Sequence, residues 1–396
     1  MPVTDVSMLR EKRKKKKLMS FLKKFGIFLA IAAAVLIIVL TKGIWYPKME
    51  GILTKIPVPE NSSELAEGNF PISIEGGASY LLVPMDSCLA VADDSHFFVY
   101  NEDGKLILSE QHTFSNPIVT AGGKKTLLYD LGGKSFSLYS KYKNIYNKST
   151  DEPILIARLG ANDTAAVVTK SDKYPSVLMV YDANGKNIFN YRSVSRIIDV
   201  TFDSDCGGCY ITSIGVSGGL IVSQILYYRF DRIDYDETGS PVPVWETDSV
   251  ETLAMSVRQF GNDNIILFGD TMCAYYDLNG NFVKSYEYKR RLVGYSSDGS
   301  TAAMVFRNDE RRSSVLTVID CVTGAVTEKN VDYEILSVQV SGNTVYMQSR
   351  NGIESCTADG VNISSVALDT DYDSFCRMDG YIYLLGYDEI NRITYN

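Results

Sequence analysis

One hairpin recurs down this chain at a nearly constant interval. FFVYNEDGKLI at 97–107, VLMVYDANGKNIF at 177–189, MCAYYDLNGNFV at 272–283, VLTVIDCVTGAV at 315–326 and GIESCTADGVNI at 352–363 each run an apolar segment into a turn, and a second extended segment leaves it. The tips fall near Gly104, Asn144, Gly185, Gly239, Gly280, Gly324 and Gly360, at intervals of 40, 41, 54, 41, 44 and 36 residues. One supersecondary unit is being built many times, and a period near 40 residues is that of a four-stranded propeller blade.

From Phe70 onward there is no long helical period, only short alternating or apolar runs cut by Gly, Asn and Asp, as in antiparallel sheet. A residue mix that is 45% hydrophobic, with Tyr far ahead of Trp, suits sheets and excludes a disordered chain. Segments 253–288 and 292–331 each divide into four strands, and seven such units fit between about 78 and 369. The tail supplies only three more strands, in DSFCRMDG, YIYLLGYD and EINRITYN. FPISIEGG at 70–77 can supply the fourth, which closes the ring and removes two exposed edges. The expected fold is all-β, an eight-bladed β-propeller closed by an N-terminal strand, with seven blades as the other count if the first or fourth unit is misdivided. One or two β-sandwiches would explain the turns but neither the regular spacing nor the three leftover strands.

The first fifty residues carry a different signal. Residues 1–42 hold ten Lys/Arg against two Asp/Glu, a charge of +8, whereas the remainder carries −17. The basic run REKRKKKK at 10–17 precedes FGIFLAIAAAVLIIVL at 25–40, which has no polar residue. Sixteen helical residues reach about 24 Å, so Thr41, a snorkelling Lys42 and the Ile44–Trp45–Tyr46 segment would complete a span of about 30 Å. Lys and Arg before the span and not after it put the N-terminus in the cytoplasm. No small-x-small cleavage site follows the apolar run, so a retained signal anchor is expected rather than a cleaved signal peptide. The division is then a basic cytoplasmic tail (1–24), a transmembrane helix (25–46), a Pro-rich polar linker (47–69) and an extracytoplasmic propeller (70–396). The poly-Lys run reads as a topology determinant touching anionic lipid, not as a nucleic-acid site.

With these features the chain resembles the bacterial propellers of the WD40-like and quinoprotein-like type. More narrowly, it resembles uncharacterised single-pass bacterial proteins with a short basic tail and an external propeller, a family defined only by a domain of unknown function. The repeats lack the Gly-His and Trp-Asp dipeptides of WD40 blades. Trp45 and Trp245 are the only tryptophans, so the Trp docking of quinoprotein blades is missing too. The resemblance implies a fold and a topology, and no reaction.

Signals for catalysis are weak. Two histidines, His96 and His112, rule out HExxH and His-rich metal sites, and both read as surface turn residues. GVSGG at 215–219 has the spacing of a nucleophile elbow, but a strand follows where a helix is needed. LGGKS at 131–135 lacks the first glycine and the helix of a phosphate loop. DTDYD at 369–373 and DRIDYDE at 231–237 lack the glycine turn and distal acid of a calcium loop. In CGGC, Cys206 and Cys209 could form a local disulfide across a Gly-Gly hairpin or remain free and buried; a redox role needs a helix N-terminus that is not predicted. No cofactor and no enzymatic activity are expected, an enzyme using carboxylates in the central channel being the last alternative.

The blade register gives the better lead. The second-to-third-strand loops look enlarged at 170–176, around 213–219 and at 307–313, and on a propeller all such loops open on one face. Lys173, Tyr174, Arg311 and Arg312 are therefore the candidate partner-binding residues. The expected function is a membrane-anchored scaffold that binds a protein or an envelope polymer, with a sensor of a small envelope ligand or glycan as the alternative.

Overall fold

The computed structural model describes residues 70–77, 79–261, 264–308 and 313–395. Among these, eight four-stranded antiparallel sheets and one two-stranded ribbon account for all the strands. The sheets are blades of a propeller. Their first strands are Leu81–Met85, Pro117–Gly122, Ile154–Leu159, Arg196–Phe202, Ala254–Phe260, Leu292–Asp298, Ser337–Ser341 and Ser374–Met378. First strands of neighbouring blades lie side by side around a central channel, and that of blade 8 lies against that of blade 1. The blade count is thus eight.

Second strands explain why so much of the sequence reads as continuous apolar runs. In blade 3, Ala165–Thr169 is buried throughout. Side chains alternate across a strand, and here both faces are covered. Ala166 and Val168 enter the core shared with blade 4, whereas Ala165 and Val167 enter the core shared with blade 2. Eight such wedges fill the eight gaps between blades. Outer strands, such as Phe282–Glu287, are largely exposed.

The recurring turn has a local cause. Most tips open with a side-chain oxygen that accepts backbone N–H groups further round the turn, whereas at the blade 7 tip the Thr357 hydroxyl donates to the Val361 carbonyl. Asp182 Oδ1 takes those of Asn184 and Lys186, both at 2.9 Å, and Asp277 Oδ1 takes those of Asn279 and Asn281, both at 2.9 Å. Three residues after the acceptor stands a glycine with positive φ, 77° at Gly185 and 81° at Gly280, which other residues adopt only at a cost. The turn and its glycine are the repeated sentence. In blade 2 the tip lies at Lys141–Tyr142, two residues before the expected position, because Asn144 already belongs to the outer strand Lys143–Ser149.

Blade 4 departs from the others, and the departure explains the 54-residue interval. After its third strand, Leu220–Arg229, the chain forms a ribbon of Asp234–Tyr235 and Pro241–Val242. It then returns to give a fourth strand of two residues, Trp245–Glu246. In blade 8 the outermost position is taken by Ile72–Ser73, with Ile72 opposite Ile390 and Ser73 opposite Glu389. The expected tail, span and linker at 1–69 lie outside the described residues. Among the described residues, no helix is long and apolar enough to cross a membrane.

Candidate functional site

Second-to-third-strand loops, and the connections from each blade to the next, share one face of the propeller. The loop at 170–175, between Ala165–Thr169 and Ser176–Tyr181, is the longest described second-to-third-strand loop. It is tethered at both ends. Ser171 Oγ accepts the Lys173 N–H at 3.2 Å, and Arg196 of blade 4 donates to the Pro175 carbonyl at 3.3 Å. Lys173 is exposed and Tyr174 half-buried, so this loop presents a cation beside an aromatic edge. Arg311 and Arg312 lie outside the described residues; the flanking strands Thr301–Asn308 and Ser313–Asp320 meet this same face.

The segment around 213–219 is not an enlarged loop. Gly208–Ser217 and Leu220–Arg229 are ten-residue strands paired in register from Gly208–Arg229 to Ser217–Leu220, joined by Gly218–Gly219 alone. A two-residue turn with φ of 60° and 86° matches the twist of a hairpin, so pairing runs to the tip instead of opening into a loop. The hairpin end stands clear of the face with apolar side chains outermost: Val216 is 75% exposed, Leu220 53% and Ile221 49%. Val194, in the connection from blade 3 to blade 4 on this face, is 81% exposed. Residue composition gave no hint of this patch, because in a regular strand the same side chains would be core.

Two inner strands add to it. In blades 5 and 6 the register shifts between Ala254 and Ser256 and between Leu292 and Gly294, near the loop-face end. Each β-bulge turns its extra residue, Met255 or Val293, out of the wedge, and both are exposed.

His112 is buried, contrary to the surface position expected for it. Its ring Nε2 lies 3.1 Å from the Asp93 carbonyl and its N–H donates to the Ser95 carbonyl at 2.7 Å, so it pins the loop at 93–95. Burial lowers its pKa and favours the neutral ring that this contact uses. His96 is half-buried at the start of the third strand of blade 1, 2.8 Å from Ser95 Oγ. Of the acidic runs, Asp231 pairs with Arg229 at 3.1 Å and Asp236 caps the ribbon turn by accepting the Thr238 and Ser240 N–H groups at 2.8 and 2.9 Å.

Cys206 and Cys209 are free thiols, as are the other five cysteines, and all seven are buried. The turn keeps the pair apart in function. Cys206 sits at φ 53° on the far side of the turn, against Gly160 and Phe202, while Cys209 starts the run of strand residues that enters the core between blades 3 and 4. Gly208 is required between them, since a Cβ there would lie 2.4 Å from the Tyr228 carbonyl oxygen. Burial pushes the Cys273 thiol up to about 11 and Cys376 up to about 12, and raises Cys88, Cys209, Cys321 and Cys356. Thiolate is the reactive form. Native protein is therefore expected to resist iodoacetamide at these six positions and to take up the label on denaturation. Mass spectrometry of alkylated peptides checks this, and rapid native labelling of most of them would contradict it.

Wedge cores, polar turns and a channel define a class, the eight-bladed β-propellers. The chain belongs to a family of unknown function, DUF5711, whose model matches residues 68–394. No curated protein matches it. Among solved structures it is similar to BamB from Moraxella catarrhalis, at 13% identity and a TM-score of 0.54, over 82% of this chain and 96% of that one. Saccharomyces cerevisiae Sqt1 is similar at 8% identity and a TM-score of 0.59, over 83% and 99% of the two chains. The Chaetomium thermophilum Sqt1 is similar at 11% and 0.56, over 83% and 98%. At these identities the likeness is one of fold.

Proposed function

We propose that this chain is a single-pass membrane protein whose propeller stands outside the cytoplasmic membrane and serves as a protein-interaction scaffold, with the N-terminal strand closing its ring. The observation that carries the scaffold reading is the gathering of Val194, Val216, Leu220 and Ile221, all about half exposed or more, on the face that also holds Lys173 and Tyr174. Contiguous exposed apolar surface with a polar rim is what protein contacts cover. These residues stand exposed on the blade 3–blade 4 sector of one face, so a protein or extended polymer fits them better than a metabolite does.

The +8 and −17 halves on either side of residue 42 support the topology. Protease added to intact spheroplasts is expected to digest the propeller; a protected propeller, or a mature chain beginning after Leu40, would refute the anchored arrangement.

The binding test is a crosslinked pull-down from membranes. Two variants are compared with the parent: Lys173, Tyr174, Arg311 and Arg312 all changed to Ala, and Val216, Leu220 and Ile221 all changed to Ser. Each is expected to lose its partners, and the second with an unchanged melting temperature, because the exposed Val216, Leu220 and Ile221 each contribute within about 0.5 kcal/mol. Retention of partners by both variants, with loss on changing Tyr142 and Leu278 at the opposite turns, would place binding on the other face.

A further inference from the structure

The inner strands of blades 3, 4 and 5 set three charged side chains at one level of the channel. Asp199 is fully buried. Arg158 holds its Oδ1 through Nε at 2.9 Å and Nη2 at 2.8 Å, and Arg258 Nη1 holds Oδ2 at 3.1 Å. The same Nη1 donates to the Val257 carbonyl at 2.8 Å and to Thr201 Oγ1. One carboxylate thus faces two guanidiniums, which leaves a residual positive charge in an otherwise acidic domain.

That charge is reachable. The Arg158 and Arg258 side chains remain 34% and 33% exposed, and Arg258 Nε and Nη2 have no partner among the described residues. Both arginines line a cavity of about 480 Å3 whose wall includes Thr120, Gly160, Thr201 and Ser204. Asp203, the other carboxylate in the wall, is already held by the Tyr227 hydroxyl at 2.7 Å, the Gly208 N–H at 3.1 Å and Arg229 at 3.3 Å. Arg229 is shared with Asp205 and Asp231, which are 62% and 67% exposed and so largely screened by solvent. A purely structural role would need one arginine for the buried carboxylate, and would leave no planar donor edge aimed into a cavity large enough for a small molecule.

We propose that this cavity binds a small oxyanion, a carboxylate or a phosphate, held by the outward donor edge of Arg258 with Arg158 beside it. The guanidinium fork matches such groups in a planar, bidentate way, and Asp199 fixes both forks in place. Ser204 supplies a hydroxyl at the wall, whereas the Thr201 hydroxyl already donates to the Val257 carbonyl at 2.6 Å. The site opens among the first-to-second-strand turns, on the opposite face from the apolar patch, and does not depend on the scaffold reading.

The test uses the full chain in detergent micelles, titrated separately with inorganic phosphate and with succinate at ionic strength matched by sodium chloride. At about ten times Kd, roughly a tenth of sites stay free, so phenylglyoxal modification of Arg258 should slow about tenfold, with a saturable rise in melting temperature. Peptide mass mapping reads the first, and the arm that responds identifies the oxyanion. Arg258→Lys, which keeps the charge but not the fork, should weaken binding about tenfold or more. Thr120→Phe, on the cavity wall, should narrow the cavity and weaken binding several-fold; it keeps the test open if the lysine variant fails to fold. The proposal is overturned if neither anion slows modification, if the melting shift merely follows ionic strength, or if affinity is unchanged in both Arg258→Lys and Thr120→Phe.

Discussion

Deleting residues 70–77 is expected to make the propeller aggregate and melt well below the parent, whereas deleting 47–66 is expected to leave it folded. The lost strand is short, but its contacts lie at the seam of the ring. Ile72 is buried in the wedge between blades 8 and 1, with Leu89, Val91, Tyr383 and Ile390. The Phe70 ring meets that of Tyr383 edge-on at 5.4 Å, and the Arg392 guanidinium lies over Phe70 at 4.8 Å. Arg392 also donates to the Glu102 carbonyl of blade 1, so the same side chain bridges the seam. Fully burying an isoleucine or phenylalanine contributes about 1.5–3 kcal/mol, and the deletion removes the buried Ile72 with the partly buried Phe70 and Ile74. It also bares Glu389–Thr394 as an unpaired edge, which is a template for association between copies. Equal melting temperatures and equal solubility of the two deletions would show that the ring does not depend on this strand.

Asp199→Ala is expected to destabilise the domain by about 1.5–3 kcal/mol, the contribution of charge-assisted hydrogen bonds to two guanidiniums that stay partly solvated. Asp199 joins inner strands of three blades: Arg158 is 41 residues before it and Arg258 is 59 after it. Without the carboxylate, two guanidiniums that are each about a third exposed lose their shared partner and repel each other. Asp199→Asn should fall between, since an amide keeps one acceptor but no charge. The urea midpoint of each variant reads the effect. A midpoint unchanged for Asp199→Ala would mean that solvent in the channel screens both arginines, and that the triad contributes no stability.

How much of this was legible beforehand follows from the range of the interactions involved. The hairpins could be read because their cause is local: an Asp or Asn oxygen, three residues and a glycine with positive φ all lie within one turn. The apolar runs could be read as strands because buried wedges on both sides demand them at every second strand. Three final strands lacking a fourth point to FPISIEGG by arithmetic, and Ile72 pairs with Ile390. Gly215–Ser217, by contrast, has the composition of a loop. It is strand only because Leu220–Val222 lies opposite it in register. His112 is polar and looked superficial, yet the Asp93 carbonyl gives it a partner that permits burial. Cys206 and Cys209 are close in sequence, but the turn sends one thiol toward Gly160 and the other into a different core. Arg158, Asp199 and Arg258 carried no signal at all. Each is an isolated charge in an apolar strand, and nothing along the chain relates them. The sequence by itself determined the blade and its repetition, because those depend on neighbours a few residues away. Only the closed ring decided which charges share the channel and which apolar side chains stand outside a wedge, because residues tens of positions apart become neighbours only when consecutive blades are placed around one axis.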